Sequence, residues 1–256
     1  VRNTIVRVRV LMFATITLSI ILLPLVEWTF VTSLVALSMY FVYGCIGIGI
    51  ANHRYWSHKS FEFRNSLIKY ACSIAALLSG TGSTLGWSGL HRLHHKHSDT
   101  PDDPHQQSRG FWKTVFIFYK VDEKQILRRS MDNARNPFLR FTDRYWLAII
   151  IFWIGFLSLI SLEALYFIFL LPSAVTMLAQ GITNYVCHGS CGYVIYKNAE
   201  GVNCAWLAPF IWGDAWHNNH HSAPTKSNHK EKWWELDISG MIIDLIKVNK
   251  KENGNG

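Results

Sequence analysis

Charge is what this chain has least of. Asp, Glu, Lys and Arg together make 16% of its 256 residues, against about a quarter in an ordinary soluble domain. The shortage is local: Val10–Val26 and Trp28–Asn52 carry no charge, and Tyr145–Tyr196 carries only Glu163. Each run is long enough for a hydrocarbon core of about 30 Å, which takes roughly 20 helical residues, and the third can cross twice. Cysteine is also sparse. The five thiols Cys45, Cys72, Cys187, Cys191 and Cys204 are odd in number and lie mostly in or beside apolar runs, which implies no disulfide framework and fits reduced thiols. Cys187 and Cys191 flank His188 and read as packing residues rather than soft metal ligands. There is no His-Pro-Gly-Gly haem signature, no fused redox segment, no internal repeat and no nucleic-acid recognition motif. Nucleic acid is therefore not an expected partner.

The charge that is present is segregated. All 25 Lys and Arg lie at or before Arg9, between Arg54 and Arg144, or from Lys197 onward, whereas the far-side turns hold only Glu27 and Glu163. The positive-inside rule then places both termini and both large polar segments in the cytoplasm. This topology accounts for most of the formal net charge of +8. The same basic face offers a grip for coenzyme A phosphates, an acyl carrier protein, anionic lipid headgroups or an acidic electron donor. A rival reading takes Arg2, Arg7, Arg9 and the first apolar run as a signal peptide. No small-residue cleavage site follows Pro24, and a second apolar run begins at once.

The expected fold is all-α: a single integral-membrane domain over 1–256 with two transmembrane hairpins. Its spans are near 10–26, 28–50, 145–162 and 164–187, its cytoplasmic segments 51–144 and 188–249, and its tail 250–256. Tyr70–Leu90 also lacks charge, but a crossing there would put His58 and His91 on opposite faces of the membrane. Rich in Gly and Ser, it reads as a buried or interfacial helix. Ser98–His105 reads as a turn-rich loop, Asp122–Arg129 as a charged helix, Ser222–Lys232 as a basic loop, Trp233–Lys247 as an amphipathic helix and Lys250–Gly256 as a disordered tail.

Nine histidines have the spacing of metal ligands: His53 and His58; His91, His94 and His95; His188; and His217, His220 and His221. Imidazole is the neutral donor favoured by iron, zinc, copper and nickel, and one ion takes about four to six protein ligands, so nine point to two metals. On a helix, positions i, i+3 and i+4 share one face, and His91–His95 and His217–His221 repeat that pattern. The nearby acids Asp99, Asp102, Asp103, Asp214, Glu235 and Asp237 are candidates to hold the second ring N–H of the ligands. Metals at the cytoplasmic end of membrane helices suit a long acyl substrate reaching down between them. Attack on an unactivated methylene needs a redox metal, which favours iron over zinc.

These strings resemble one family. His53-x4-His58, His91-x2-His94-His95 and His217-x2-His220-His221, with Asn184-x3-His188 before the third, are similar to the histidine boxes of integral-membrane fatty acyl desaturases of the Δ9 branch. The likeness runs from about Gly44 to Asp237. It includes His53-Arg-x-Trp-Ser-His58, His91-Arg-x-His-His-Lys96, Asp103-Pro-His105, Arg109-Gly-Phe111 and Trp216-His-Asn-Asn-His-His221. The resemblance implies a di-iron enzyme that uses O2 and two electrons to make a cis double bond and water. The nine histidines would be direct ligands and Asn184 a ligand through water. His97, His105 and His229 match no ligand position and read as surface or supporting residues.

With no redox segment fused to the boxes, the electrons would come from a separate protein such as ferredoxin or a b-type cytochrome. The substrate would be a long-chain acyl group on coenzyme A, a carrier protein or a glycerolipid. Trp87 is expected to wall an acyl tunnel beside the metals, and Leu37, Phe41 and Gly44, on one helix face, to set its depth. Two strings depart from the acyl-CoA pattern: Val115–Phe118 lacks a His-x-Gly-Trp element, and Gly213-Asp214-Ala215 stands in place of Gly-Glu-Gly. A membrane hydroxylase or ketolase shares the histidine logic and differs in product. A metal transporter would need paired ionisable residues inside the spans, which the sequence lacks.

Overall fold

The computed structural model describes residues 4–116 and 121–248. Arg2, the second half of Val115–Phe118 and the tail Lys250–Gly256 lie outside them. Four helices are long and apolar enough to cross a membrane: Ile5–Leu25, Phe30–Ser57, Pro137–Ile160 and Leu162–Cys187. They are labelled α1 (Thr4–Leu22 and the short turn after it), α2 (Phe30–Ser57), α7 (Pro137–Ile160) and α8 (Leu162–Cys187). The starts are set by caps. Thr29 Oγ1 accepts the Thr32 N–H at 3.1 Å, Asn136 Oδ1 accepts Phe138 N–H at 3.0 Å ahead of Pro137, and Ser161 Oγ accepts Ala164 N–H at 3.0 Å. Thus α7 begins eight residues before the charge-free run that reveals it, and α2 continues past its run into the first histidine box.

α8 lies against α1, α2 and α7. Half of the most apolar window of α8 is buried, against 17% for α1 and α7, so α8 is the inner helix. Leu77, Trp146, Ile150, Leu157, Tyr166, Phe167, Phe169 and Leu170 form the core between them, while Ile20, Phe30, Phe152 and Leu159 stay exposed on the outside. Exposed apolar side chains on span-length helices are what a lipid-facing surface requires. The protein is an integral-membrane, all-helical chain, and the described residues form no strand, only isolated bridges.

The second half of α2, Phe41–Ser57, is closed by i→i+5 hydrogen bonds, with the cap bond from His58 N–H to His53 O at 3.2 Å. This wider winding has a consequence for the first box. In an α-helix, residues five apart point about 140° from each other. With i→i+5 closure His58 comes round above His53, and their ring centroids are 5.1 Å apart.

Tyr70–Leu90 is two helices rather than one. α3 (Ser66–Leu78) ends at Ser79, and α4 (Thr84–His97) starts after Gly80 and Gly82 have turned the chain at φ 79 and 97. Only glycine adopts such angles without strain. Ser83 then caps α4 through Gly86 N–H at 3.1 Å. α5 (Phe111–Phe116) and α6 (Glu123–Arg129, capped by Asp122) follow. Near the end of the chain come α9 (His217–Ser222) and α10 (Ile238–Ile246). α10 covers only the second half of Trp233–Lys247. Trp233–Asp237 is drawn into a turn because Glu235 accepts the N–H groups of Glu231 and Lys232 and Asp237 that of Gly240.

α4 meets α6 at Gly89, where an added Cβ would collide with the Ile126 carbonyl. Gly89→Ala should destabilise the fold by about 1–3 kcal/mol through overpacking, read by denaturant unfolding in detergent.

Candidate metal centre

The nine histidines come from four elements. α2 carries His53 and its cap His58, α4 carries His91, His94 and His95, α8 ends at His188, and α9 carries His217, His220 and His221. Their ring nitrogens converge in two groups, His53, His58, His91, His95 and His220 in one, and His94, His188, His217 and His221 in the other, each within 4.8 Å. The two short helices divide their histidines in opposite senses. α4 sends its i and i+4 rings to the first group and its i+3 ring to the second. α9 sends its i and i+4 rings to the second and its i+3 ring to the first. The groups abut where the His95 and His221 rings stack at 4.2 Å.

Arginines hold the boxes in register. Arg92 donates to the carbonyls of Trp56 at 2.8 Å and Ser57 at 2.7 Å, covering the open end of α2. This places His58 Nε2 and His91 Nε2 2.8 Å apart. Arg54, fully buried, bridges Asp214 and Asp237, each at 2.9 Å, and reaches the Ser227 carbonyl. Asn218 Oδ1 accepts the N–H groups of Ile195 and Tyr196. Asn219 donates to the His229 carbonyl and to Glu235. Sequence reasoning passed over these four residues. The available signal was two asparagines inside a short helix, a place they avoid unless their side chains bind backbone elsewhere.

Carboxylates fix the rings from behind. His94 Nδ1 lies 2.8 Å from Asp103 and His188 Nδ1 2.9 Å from Asp99, while His53 Nδ1 is 3.5 Å from Asp214. Glu200, absent from the expected acids, stands 3.8 Å from His221 Nδ1, and Asp214 also offers its carbonyl to His217 Nδ1 at 3.3 Å. Glu235 and Asp237 instead brace the loop. Burial pushes the Asp214 carboxyl up, but His53 and Arg54 outweigh it and hold it well below the usual carboxylate range.

With Nδ1–H committed to an acid, Nε2 carries the lone pair. His94 Nε2 is buried without a hydrogen-bond partner, and His188 Nε2 faces His217 Nε2 at 2.9 Å. His53 and His95 bring Nε2 to 3.0 and 2.9 Å from His220 Nε2. Nitrogens about 2.1 Å from one shared ion, at right angles, stand about 3 Å apart. Burial first, and neighbouring imidazoles second, push His58, His91, His94, His95, His217, His220 and His221 well below the ordinary histidine value. Neutral lone pairs crowded this way repel one another unless a cation sits among them, so the donor set fits two metal ions.

The metal-free protein should therefore be acid-sensitive. Below about pH 6.5 the unfolded chain takes up protons that these buried rings refuse. Stability is full above that pH and is lost as pH falls toward the lowered native values, which thermal unfolding across pH would register. Asp103→Asn should weaken metal binding at the four-histidine group by about 10–100-fold and spare the other, measured by chelator competition.

A cavity of about 150 Å³ opens on both groups, lined by His53 and His91 of the first, His217 of the second, and Asn184. Trp87 lines it, stacking on His91 at 5.0 Å and donating to Gln180 Oε1 at 2.8 Å. Besides His53, α2 contributes Tyr40, Gly44 and Ile48 to the lining. Leu37 is exposed on the outer surface, and Phe41 packs edge-on to Trp212 at 5.1 Å. His105 and His229 are buried beside His94 and His220, and His97 ends α4 half-buried, all outside both groups. Burial pulls His105 down to about 4. Cys187 and Cys204 pack in an apolar cluster, and all five thiols are free.

The family model for fatty acid desaturases matches residues 7–236. An sn-1 stearoyl-lipid 9-desaturase of Anabaena variabilis is 30% identical over 224 residues, covering 84% of this chain and 80% of that protein. The Synechocystis protein of the same name is 32% identical, covering 83% and 68%. An sn-2 palmitoyl-lipid 9-desaturase of Nostoc is 32% identical, covering 82% and 76%.

Proposed function

The chain belongs to the fatty acid desaturase family and is a membrane acyl desaturase, and from that premise we propose that it places a cis double bond at Δ9 of a saturated long-chain acyl group. In this reading the two histidine groups hold two iron ions, O2 is the co-substrate, and two electrons arrive from a separate donor such as ferredoxin or a b-type cytochrome. The observation that carries it is the pair of imidazole clusters opening on one largely apolar cavity. When bound, iron supplies the redox chemistry that an unactivated C–H bond requires.

The protein's own part is positioning and exclusion. Asp99, Asp103 and Asp214 hold ring N–H groups and so aim the Nε2 lone pairs inward. The nine histidines would serve as ligands, and Asn184 would hold one ion through water. Trp87, pinned by Gln180, walls the chain beside His91. The apolar stretch from Ile48 to Met12 and Met177 keeps water from a saturated chain.

The relatives act, by their names, on acyl lipids, and no Lys or Arg is among the described cavity-lining residues to grip coenzyme A phosphates. Both favour a glycerolipid-linked chain. The segregation of basic residues favours placing the termini and the site on the cytoplasmic side, within a single catalytic domain.

The test is fatty acid methyl-ester analysis, with double bonds located, in a desaturase-deficient host expressing the chain or its His94→Ala variant. A new Δ9 cis-monoene from the intact chain alone is the expected result. Hydroxy acids would move the reading to hydroxylation. No product, despite verified protein and a supplied donor, would overturn it.

A further inference from the structure

Behind the third histidine box a line of aromatic rings leads from beside His217 to the surface. Trp216 immediately precedes His217 and is 2% exposed, and its carbonyl accepts the His220 N–H at 3.0 Å, so it is built into the start of α9. Its indole Nε1 donates to the Leu236 carbonyl at 2.9 Å, which fixes the ring against the turn Trp233–Asp237. Trp234 meets that ring edge-on with centroids 5.7 Å apart, and Tyr193 stands 5.7 Å from Trp234 in turn. Trp234 is 42% exposed and Trp233 88%. Two indoles therefore carry contact from the residue beside His217 out to solvent.

The surface around them is basic. Lys226, Lys230 and Lys232 are exposed, and Lys232 Nζ lies 4.1 Å over the Tyr193 ring and 5.4 Å over Trp234. Glu231 pairs with Lys226 at 2.5 Å, which leaves Lys230 and Lys232 beside Trp233. Glu235, buried beneath them, accepts the Tyr193 hydroxyl and the N–H groups of Glu231 and Lys232, and so holds rings and lysines on one scaffold. An exposed indole among lysines also suits a membrane interface. The inward contact decides between the two, because a lipid anchor has no use for a second indole reaching the neighbour of His217, whereas an electron path requires one.

We propose that the face formed by Lys230, Lys232 and Trp233 is where a small acidic one-electron carrier docks, and that Trp234 and Trp216 are the path its electrons take toward His217. This rests on the proposed need for two external electrons per double bond. Opposite charge steers such partners into brief encounters over small interfaces, and electron transfer slows steeply with distance, so a short path through packed rings favours this face over others. Two encounters deliver two electrons, solvent supplies two protons, the acyl chain gives up two hydrogen atoms, and one O2 leaves as two waters. The indoles are crossed by the electrons and are left neither oxidised nor reduced.

The test titrates the metal-free full chain in lipid nanodiscs with two probes, an acidic plant-type ferredoxin and the soluble domain of a b-type cytochrome. Lys230→Glu combined with Lys232→Glu should weaken binding by about tenfold or more at low salt, and the difference should shrink as salt rises. The same variant should keep wild-type turnover when a small dye supplies the electrons. For the path, iron-loaded protein is mixed with saturating reduced carrier, O2 and acyl lipid. Trp216→Leu should lose most of the carrier's reoxidation rate at unchanged carrier affinity and metal content, and Trp216→Phe should keep most of it.

Wild-type protein that binds neither probe would overturn the proposal. So would charge-reversed protein that binds as the wild type does, which would leave this face to lipid. A wild-type rate in Trp216→Leu would overturn the path, and if that variant loses its metal, Trp234→Leu against Trp234→Phe decides. Dye-driven wild-type protein that makes no monoene would instead sink the desaturase reading, a result separate from the binding measured on metal-free protein.

Discussion

Replacing His94 with alanine is expected to strip one metal ion from the protein, and replacing its neighbour His95 the other. The rings are adjacent in sequence but turn to different groups: His94 to His188, His217 and His221, His95 to His53, His58, His91 and His220. His94 is the more exacting of the two, since Asp103 fixes its Nδ1 and its buried Nε2 has no other partner. Metal content should fall from about two ions per chain to about one in either variant, and turnover should vanish in both if, as proposed, the reaction needs both ions. Elemental analysis of purified protein reads the first, product analysis the second. Loss of both ions from each variant would mean that the groups do not bind independently.

Arg54→Met is expected to destabilise the protein by about 3–5 kcal/mol, the usual cost of removing one partner from a buried ion pair. The guanidinium is fully buried and bridges Asp214 and Asp237, which is itself 1% exposed. Methionine fills much of the volume but leaves the buried Asp237 carboxylate without its guanidinium, held only by the N–H groups of His229 and Gly240. Lysine should recover only part of the loss, because one ammonium cannot match a fork spanning two carboxylates and the Ser227 carbonyl. Denaturant unfolding of metal-free protein in detergent measures both. Because Asp214 also backs His53, the methionine variant should bind metal more weakly at the five-histidine group.

Much of this was legible in the sequence where local rules act alone. Missing charge marked the spans, and the i, i+3, i+4 spacing marked two histidine-bearing helices. What escaped depends on contacts distant in sequence. A face shared by three histidines does not say that one of them serves a second group, which follows from how α4 and α9 oppose each other. The four residues between His53 and His58 carried a usable signal, since that spacing leaves an α-helix face and suits i→i+5 winding.

On α2 the depth residues expected were Leu37, Phe41 and Gly44, while the cavity is lined by Tyr40, Gly44 and Ile48. The helix is apolar all round, so periodicity offers several faces and no ground for choosing among them. The glycines of Tyr70–Leu90 lower its helix propensity, yet only the left-handed angles of Gly80 and Gly82 reveal that they split one apolar stretch into two helices.

Diffraction at the iron absorption edge from crystals of the protein as purified would locate iron at the two histidine groups. Two anomalous peaks are expected, one among His53, His58, His91, His95 and His220 and the other among His94, His188, His217 and His221. A single peak, or peaks that appear at the zinc edge and not at the iron edge, would contradict a two-iron centre.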